Sequence, residues 1–499
     1  MKNDFWRELI FRAMEKLEDF ALADSQRFLR MLQMVSESQA LKWGRMRAET
    51  AARSAWRKVP AYRDFLAKHG LQSPDVPFEK LPVMSKKNYI GNYSLNDRCA
   101  GGSFCCQHVS IDESSGSTGM PYNWVRGLDE RRRIHRTMAR MAEFLLGERS
   151  LIVINAFSMG AWATGVHIAE AMELYSVVKS TGADLEKVIS TLETFGPYQG
   201  YFILGYPPFI KHLIDTLVAR NFPIDQYELH ALVGGEAMSE DLRRYVLRYF
   251  RTFYSGYGAS DLEVGMAIET PEAVRIRSLI HDDIKLRTVL LEGDHRVPMV
   301  FQYDPRSHYM EVNSKNELII TLTNSRVLSP RIRYNIGDEA RLFSRKTLVS
   351  RMCELGHPLN GNDRFLPLPY VFIYGRADHT ISIMGANIYP EDVERAIFTQ
   401  PELAGFASFS IRCETRNEGS PFPHLSIEWE NPDPPALPLD TLAHNISREV
   451  AKINADYRAA LTEFPEPLHF ELDVYGLDQG PFTGRNQRIK QRYIESPGL

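Results

Sequence analysis

Leu151-Ile-Val-Ile154, Tyr175-Ser-Val-Val178, Tyr201-Phe-Ile-Leu204, Leu229-His-Ala-Leu-Val233 and Thr252-Phe-Tyr254 are five short apolar runs that begin 23 to 28 residues apart. Before and between them, apolar residues recur at steps of three and four. That spacing predicts helices over 129–147, 160–174, 183–195, 207–220 and 239–250. Short apolar strands alternating with amphipathic helices predict an α/β domain with a largely parallel sheet and flanking helices. Ligands in such folds gather beyond the carboxyl ends of the strands. Three of those ends run into Gly-rich or polar turns: Asn155-Ala-Phe-Ser-Met-Gly160, Gly234-Gly-Glu236 and Ser255-Gly-Tyr-Gly-Ala-Ser-Asp261.

Upstream lies a fourth loop, Asp112-Glu-Ser-Ser-Gly-Ser-Thr-Gly-Met-Pro-Tyr122. It concentrates hydroxyls and glycines in Ser114, Ser115, Gly116, Ser117, Thr118 and Gly119. Glycines let backbone amides approach an anion, and hydroxyls add donors. The loop follows the short run Gln107-His-Val-Ser-Ile111 and precedes a helix, where a nucleotide phosphate can sit. No Gly-Lys-Ser/Thr follows, so it is not a Walker A loop.

The 499 residues suffice for two or more domains, and 44% hydrophobic with 24% charged residues is an ordinary globular composition. A net charge of −4 argues against a nucleic-acid binder held by bulk electrostatics. Arg131-Arg-Arg133 reads as part of a solvated helix face. Five unpatterned cysteines imply no disulfide framework. No signal core opens the chain, and no apolar run nears the ~20 residues that span a bilayer. The expectation is a cytoplasmic protein without a membrane partner.

Trp6, Leu9, Ile10, Ala13, Leu17 and Phe20 predict an N-terminal helical region over 1–57, read as packing scaffold. It either covers the sheet or forms a homodimer interface. A large domain is expected over 58–377, with a strand at Asn316-Glu-Leu-Ile-Ile-Thr-Leu-Thr323 and a tight turn at Gly337-Asp338. Residues 378–499 read as a small α+β unit: strands over 406–412, 424–430 and 468–474, and one helix over 440–460.

Four motifs, in this order, resemble the adenylate-forming superfamily of acyl-CoA ligases and adenylation domains. They are Ser114-Ser-Gly-Ser-Thr-Gly119, Tyr257-Gly-Ala-Ser-Asp261, Arg333-Tyr-Asn-Ile-Gly-Asp338, and Gly375-Arg-Ala-Asp378 followed by Gly385-Ala-Asn-Ile-Tyr-Pro-Glu-Asp-Val-Glu394. Val59-Pro-Ala-Tyr-Arg63, Leu81-Pro-Val-Met-Ser-Lys86 and Gly235-Glu-Ala-Met-Ser-Glu240 resemble the phenylacetate-CoA ligase branch.

The resemblance implies that a carboxylate attacks the α-phosphate of ATP, that pyrophosphate leaves, and that a thiol then displaces AMP. It implies that residues 114–119 hold the β- and γ-phosphates, that Ser260 approaches the α-phosphate, and that Asp261 holds Mg²⁺. Asp338 would accept the ribose hydroxyls, and Arg376 would lie near ribose or phosphate. Gly235, Glu236, Tyr257 and Gly258 would border the nucleotide. Asn155, Phe157, Ser158, Met159, Trp162, Gly234 and Ala259 would line the acid pocket, and Asp378 would be the hinge of a rotating C-terminal domain. The thiol is that of coenzyme A or of a carrier-protein phosphopantetheine.

The chain departs from the pattern in three places. Asp261 replaces the usual Glu, Met120 stands where a basic residue often precedes the proline, and Arg485 occupies the catalytic lysine position, with Lys490 a second candidate. These departures motivate a rival reading as a nucleotide binder that has lost catalysis. Cys353, His357 and His308 include a single cysteine, so no structural zinc is expected there.

Overall fold

The computed structural model describes residues 2–114, 122–147, 149–160, 163–294, 296–359, 365–376, 381–416, 421–429 and 431–483. The chain divides into two compact units. One comprises Met1–Glu113, Asn123–Gly205 and Pro223–Gly375, the other Ser114–Tyr122, Tyr206–Phe222 and Arg376–Leu499.

The first unit opens with four helices, α1 (Lys2–Ala21), α2 (Ser25–Met34), α3 (Glu37–Lys58) and α4 (Pro60–Lys68). A two-stranded hairpin follows, β1 (Ser110–Ser114) with β2 (Tyr122–Arg126). Then come β3 (Leu151–Asn155), β4 (Val177–Ser180), β5 (Gly200–Gly205), β6 (Glu228–Val233) and β7 (Thr252–Tyr257). They pair in parallel in the order β4-β3-β5-β6-β7. The helices α5 (Leu128–Leu146), α6 (Ala163–Met172) and α7 (Leu185–Phe195) precede or separate them.

Every residue of β5 from Tyr201 to Gly205 is buried, as a parallel strand covered on both faces requires. The sheet continues through β8 (Ala267–Ile268), β9 (Met299–Tyr303), β10 (His308–Val312), β11 (Glu317–Leu322), β12 (Tyr334–Phe343) and β13 (Tyr370–Arg376) to eleven strands. In this half the pairs β7–β8, β8–β9, β9–β13, β10–β11 and β11–β12 are antiparallel. The sheet is therefore mixed, with its parallel half where the alternating pattern placed it.

The N-terminal helices differ from the expectation in which face they bury. Leu9, Ile10, Leu17 and Phe20 are 48%, 55%, 68% and 63% exposed, while Glu15 and Glu18 are buried. Glu18 lies 2.7 Å from Arg47 and also pairs with Arg133. Burial works to raise the Glu18 carboxyl, but Arg133 and Arg47 hold it below the ordinary carboxylate range. Glu15 accepts from the Ser325 amide at 2.8 Å. Polar anchors fix α1, so the apolar period located the helix but not its inner side. For the same reason Arg133 is not on a solvated face; its guanidinium also reaches Asp19 at 3.4 Å.

The second unit contains the helix Pro207–Ala219, the hairpin β14 (Ile381–Ile383) with β15 (Ala386–Ile388), and the sheet of β16 (Phe406–Thr415), β17 (Pro421–Trp429) and β18 (Glu471–Tyr475). The single helix expected over 440–460 is two, Leu439–Ile453 and Ala455–Glu463. Asn454 between them is extended, and its side chain accepts from the Tyr457 amide at 2.9 Å, capping the second helix. Its amide also donates to Asn387 O at 2.8 Å and to Asp392 at 2.9 Å, tying the break to β15. Among the described residues, no helix is long and apolar enough to cross a membrane.

Candidate active site

The loop leaving β7 carries Tyr257-Gly-Ala-Ser-Asp261. It folds back on itself: Ala259 N donates to Glu263 O at 3.1 Å and Leu262 N to Ala259 O at 3.0 Å. Gly258 sits at the closest approach. A Cβ there would stand 2.7 Å from Gly265 N and 2.9 Å from Glu263 O, both backbone atoms. Gly258→Ala therefore forces the loop to shift. We expect a loss of about 1–3 kcal/mol, read as a lowered denaturation midpoint; an unchanged midpoint would show that the loop accommodates a methyl group.

Three successive carbonyls of this loop are held by buried arginines. Arg126 of β2 donates through Nη2 to Ser260 O at 2.7 Å and through Nη1 to Leu262 O. Arg331 donates through Nε to Asp261 O at 2.9 Å. Arg126 also bonds Asp112 of β1 at 2.6 Å, and Asp112 lies 3.0 Å from His167 Nε2. Burial opposes ionisation of Asp112, yet His167 and Arg126 hold its carboxyl below the usual range.

The Asp261 side chain is buried. One carboxylate oxygen accepts from Tyr334 Oη at 2.8 Å, and the other faces Lys86 Nζ at 3.2 Å. Lys86, Arg126, Arg331 and Tyr334 were not assigned roles from the sequence. Both arginines are 1% exposed, and such residues are almost never buried unpaired.

Gly337-Asp338 is not a turn but part of β12. Against β11 the register runs from Glu317↔Glu339 to Ile319↔Asn335, so extra residues bulge out around Gly337. Gly337 takes φ +84°, which glycine tolerates, and its amide donates to Asn335 Oδ1 at 2.8 Å. The bulge aims Asp338 at Tyr257, whose hydroxyl donates to Asp338 Oδ2 at 2.5 Å. The Tyr257 ring stacks on Phe301 with centroids 5.7 Å apart. Two residues 81 positions apart in the chain, both assigned to nucleotide binding, thus meet.

At the ends of β3 and β6 the structure brings some pocket candidates together. A Cβ on Gly234 would lie 3.1 Å from Gly256 O and 4.0 Å from the Phe157 ring, so these strand ends touch. Phe157 is buried, Ser158, Glu236 and Ala259 are half-buried, and Met159 and Gly235 are exposed. Asn155 is fully buried; its amide donates to Gly165 O at 2.8 Å, and its Oδ1 accepts from the Phe157 amide at 3.3 Å. It shapes the loop. Ser114 is buried at the end of β1, and Arg376 ends β13; both fall in the second unit. Ser115, Gly116, Ser117, Thr118, Gly119, Trp162, Asp378, Arg485 and Lys490 lie outside the described residues. His308 bonds Glu263 at 2.8 Å and His357 bonds Asp283 at 2.9 Å, each engaged separately.

No family profile matches the chain. Among characterised proteins it is similar to the phenylacetate-coenzyme A ligases of Thermus thermophilus, 23% identical over 72% of this chain and 75% of that one, and of Aromatoleum evansii, 25% identical over 76% and 78%. Its fold is similar to that of a 2-hydroxyisobutyryl-CoA ligase solved with 2-HIB-AMP and CoA, with TM-score 0.63 at 16% identity, over 92% of this chain and 89% of that one. These similarities agree with the resemblance to the adenylate-forming superfamily carried by the motifs. Phenylacetate-CoA ligases are distant homologues of this chain. In this chain the contacts of Tyr257, Asp338 and the 258–262 loop are the described geometry in which candidate residues from separate motifs converge.

Proposed function

We propose that the chain activates an aromatic carboxylic acid with ATP and transfers the acyl group to coenzyme A. The observation that carries this reading is the Tyr257–Asp338 hydrogen bond beside the arginine-held loop at the end of β7. An ionised carboxylate accepts two hydroxyls at once, as a ribose diol requires. An oxygen of the acid attacks the α-phosphorus, the bond to the β-phosphate oxygen breaks, and pyrophosphate leaves. The thiol of CoA then adds to the acyl carbon, and AMP leaves with the bonding electrons.

Charge crowds between the two anions during the first step, so fixed donors lower its barrier. The donors would be the amides and hydroxyls of 114–119, Ser260, Arg376, and Arg485 or Lys490 of the tail. Lys86, 3.2 Å from Asp261, adds a cation at the loop. Asp261 suits Mg²⁺ in kind, being a buried hard oxygen donor. When bound, the ion neutralises developing charge on phosphate oxygens. Phe157 at the junction of β3 and β6 favours a flat apolar acyl group over a polar one. The ring of Tyr257 would border adenine, and Asp378 would serve as the hinge between the half-reactions.

ATP–pyrophosphate exchange with benzoic, phenylacetic, hydroxyaromatic and fatty acids tests the reading. Exchange should depend on an aromatic acid and exceed that with fatty acids at least tenfold. Measurable ATP binding with no exchange for any acid would favour the non-catalytic binder. Turnover with free CoA set against a holo-carrier protein then decides the thiol acceptor.

A further inference from the structure

Two histidines from successive helices meet in the first unit. His135 of α5 and His167 of α6 lie Nε2 to Nδ1 at 3.0 Å, and both are buried. His167 turns its Nε2 to the Asp112 carboxylate at 3.0 and 3.2 Å. His135 turns its Nδ1 to Glu170 Oε2 at 3.4 Å. Glu170 is one turn along α6 from His167, and its side chain is 44% exposed, so the cluster opens to solvent there. The ligand atoms of His135, His167 and Glu170 lie within 4.8 Å of one another.

With both imidazoles neutral, proton counting along this chain ends in a conflict. Asp112 already accepts from Arg126, and an ionised carboxylate only accepts. His167 Nε2 therefore carries hydrogen, and its Nδ1 is a lone pair. His135 must then donate from Nε2, which leaves its Nδ1 as a second lone pair. A neutral imidazole has one N–H and no more. That lone pair faces the Glu170 carboxylate, acceptor against acceptor. Arg131 is 3.6 Å from the same oxygen, farther than His135.

We propose that this cluster binds a divalent ion of the zinc class, with one nitrogen from each histidine and the Glu170 carboxylate as ligands. Two imidazoles and a carboxylate form a donor set that such ions take with solvent in the fourth position. Imidazole ligation selects them over Mg²⁺ and Ca²⁺, so the site is separate from any nucleotide-bound magnesium. The Asp112 contact supplies the carboxylate that orients a metal-binding histidine. His167 would ligate through Nδ1, since its Nε2 faces Asp112, and the ion would replace the 3.0 Å contact between the two rings. A bound ion staples α5 to α6 and, through Asp112, stiffens β1, the strand that leads into residues 114–119.

The test uses tag-free full-length protein stripped with EDTA and titrated with Co²⁺ and Zn²⁺. One equivalent should bind with micromolar or tighter affinity, Co²⁺ should give a visible ligand-field band, and the melting midpoint should rise. Millimolar Mg²⁺ should not compete. Glu170→Gln, at a half-exposed position that tolerates it, and His135→Gln should each weaken binding at least tenfold. Asp112→Asn should weaken it about 10–100-fold, as loss of an outer-shell partner does. No stoichiometric binding to the wild-type protein would overturn the proposal. So would binding unchanged by Glu170→Gln and His135→Gln, which would assign the ion to other groups such as the exposed Cys105 and Cys106.

Discussion

Asp338→Ala is expected to weaken ATP and AMP binding by about 10²- to 10⁴-fold. The carboxylate already accepts the Tyr257 hydroxyl at 2.5 Å, so it is ordered before any ligand arrives. Hydrogen bonds to a charged acceptor contribute about 1.5–3 kcal/mol each. A ribose diol makes two, giving roughly 3–6 kcal/mol, and each 1.4 kcal/mol is tenfold in affinity. Asp338→Asn keeps one acceptor oxygen and should fall between alanine and wild type. Tyr257→Phe removes only the hydroxyl that orients the carboxylate, and should cost less than either. Calorimetric titration with AMP reads all three variants. Wild-type affinity in Asp338→Ala would remove Asp338 from the nucleotide site.

Arg126→Met should destabilise the first unit by about 3–5 kcal/mol, the range for breaking a buried ion pair from one side. Arg126 is 1% exposed and holds Asp112, Ser260 O and Leu262 O at once, with Glu130 3.7 Å away. Methionine fills much of the volume but takes a donor from Asp112 and from the Ser260 and Leu262 carbonyls, and a cation from beside Glu130. Arg126→Lys should recover less than half, because a point charge cannot span three acceptors that a planar fork reaches. Adding Asp112→Asn to Arg126→Met should restore part of the loss, since the uncompensated charge is gone. Denaturant titration measures this as a shifted midpoint at constant slope. A loss below ~0.5 kcal/mol would place Arg126 among ordinary surface substitutions and contradict its central role.

The parallel half of the sheet was legible because each strand is short, apolar and followed by an amphipathic helix. β3, predicted over 151–154, spans Leu151–Asn155; β6, predicted over 229–233, spans Glu228–Val233. The face of α1 was not legible. Periodicity assumes that apolar residues turn inward, whereas Glu15 and Glu18 do so here because arginines and an amide await them. The break at Asn454 was hidden for a similar reason: its value lies in contacts with Asn387 and Asp392, more than sixty residues away.

Tyr257 and Asp338, read from separate motifs, do meet. What held the motif in shape was not legible. Arg126, Arg331 and Tyr334 act on the loop through carbonyls and a carboxylate distant in sequence. Asn155, read as pocket lining, bonds Gly165 O, the Phe157 amide and Ser180 Oγ through its side chain.

The measurement closest to the central claim is product analysis of a single turnover with ATP, phenylacetate and Mg²⁺, with CoA withheld and then added. The expected result is acid-dependent formation of an acyl-adenylate and pyrophosphate, followed on CoA addition by AMP and a thioester in equal amounts. ADP with orthophosphate, or ATP left intact with every acid in the panel, would contradict an adenylate-forming ligase.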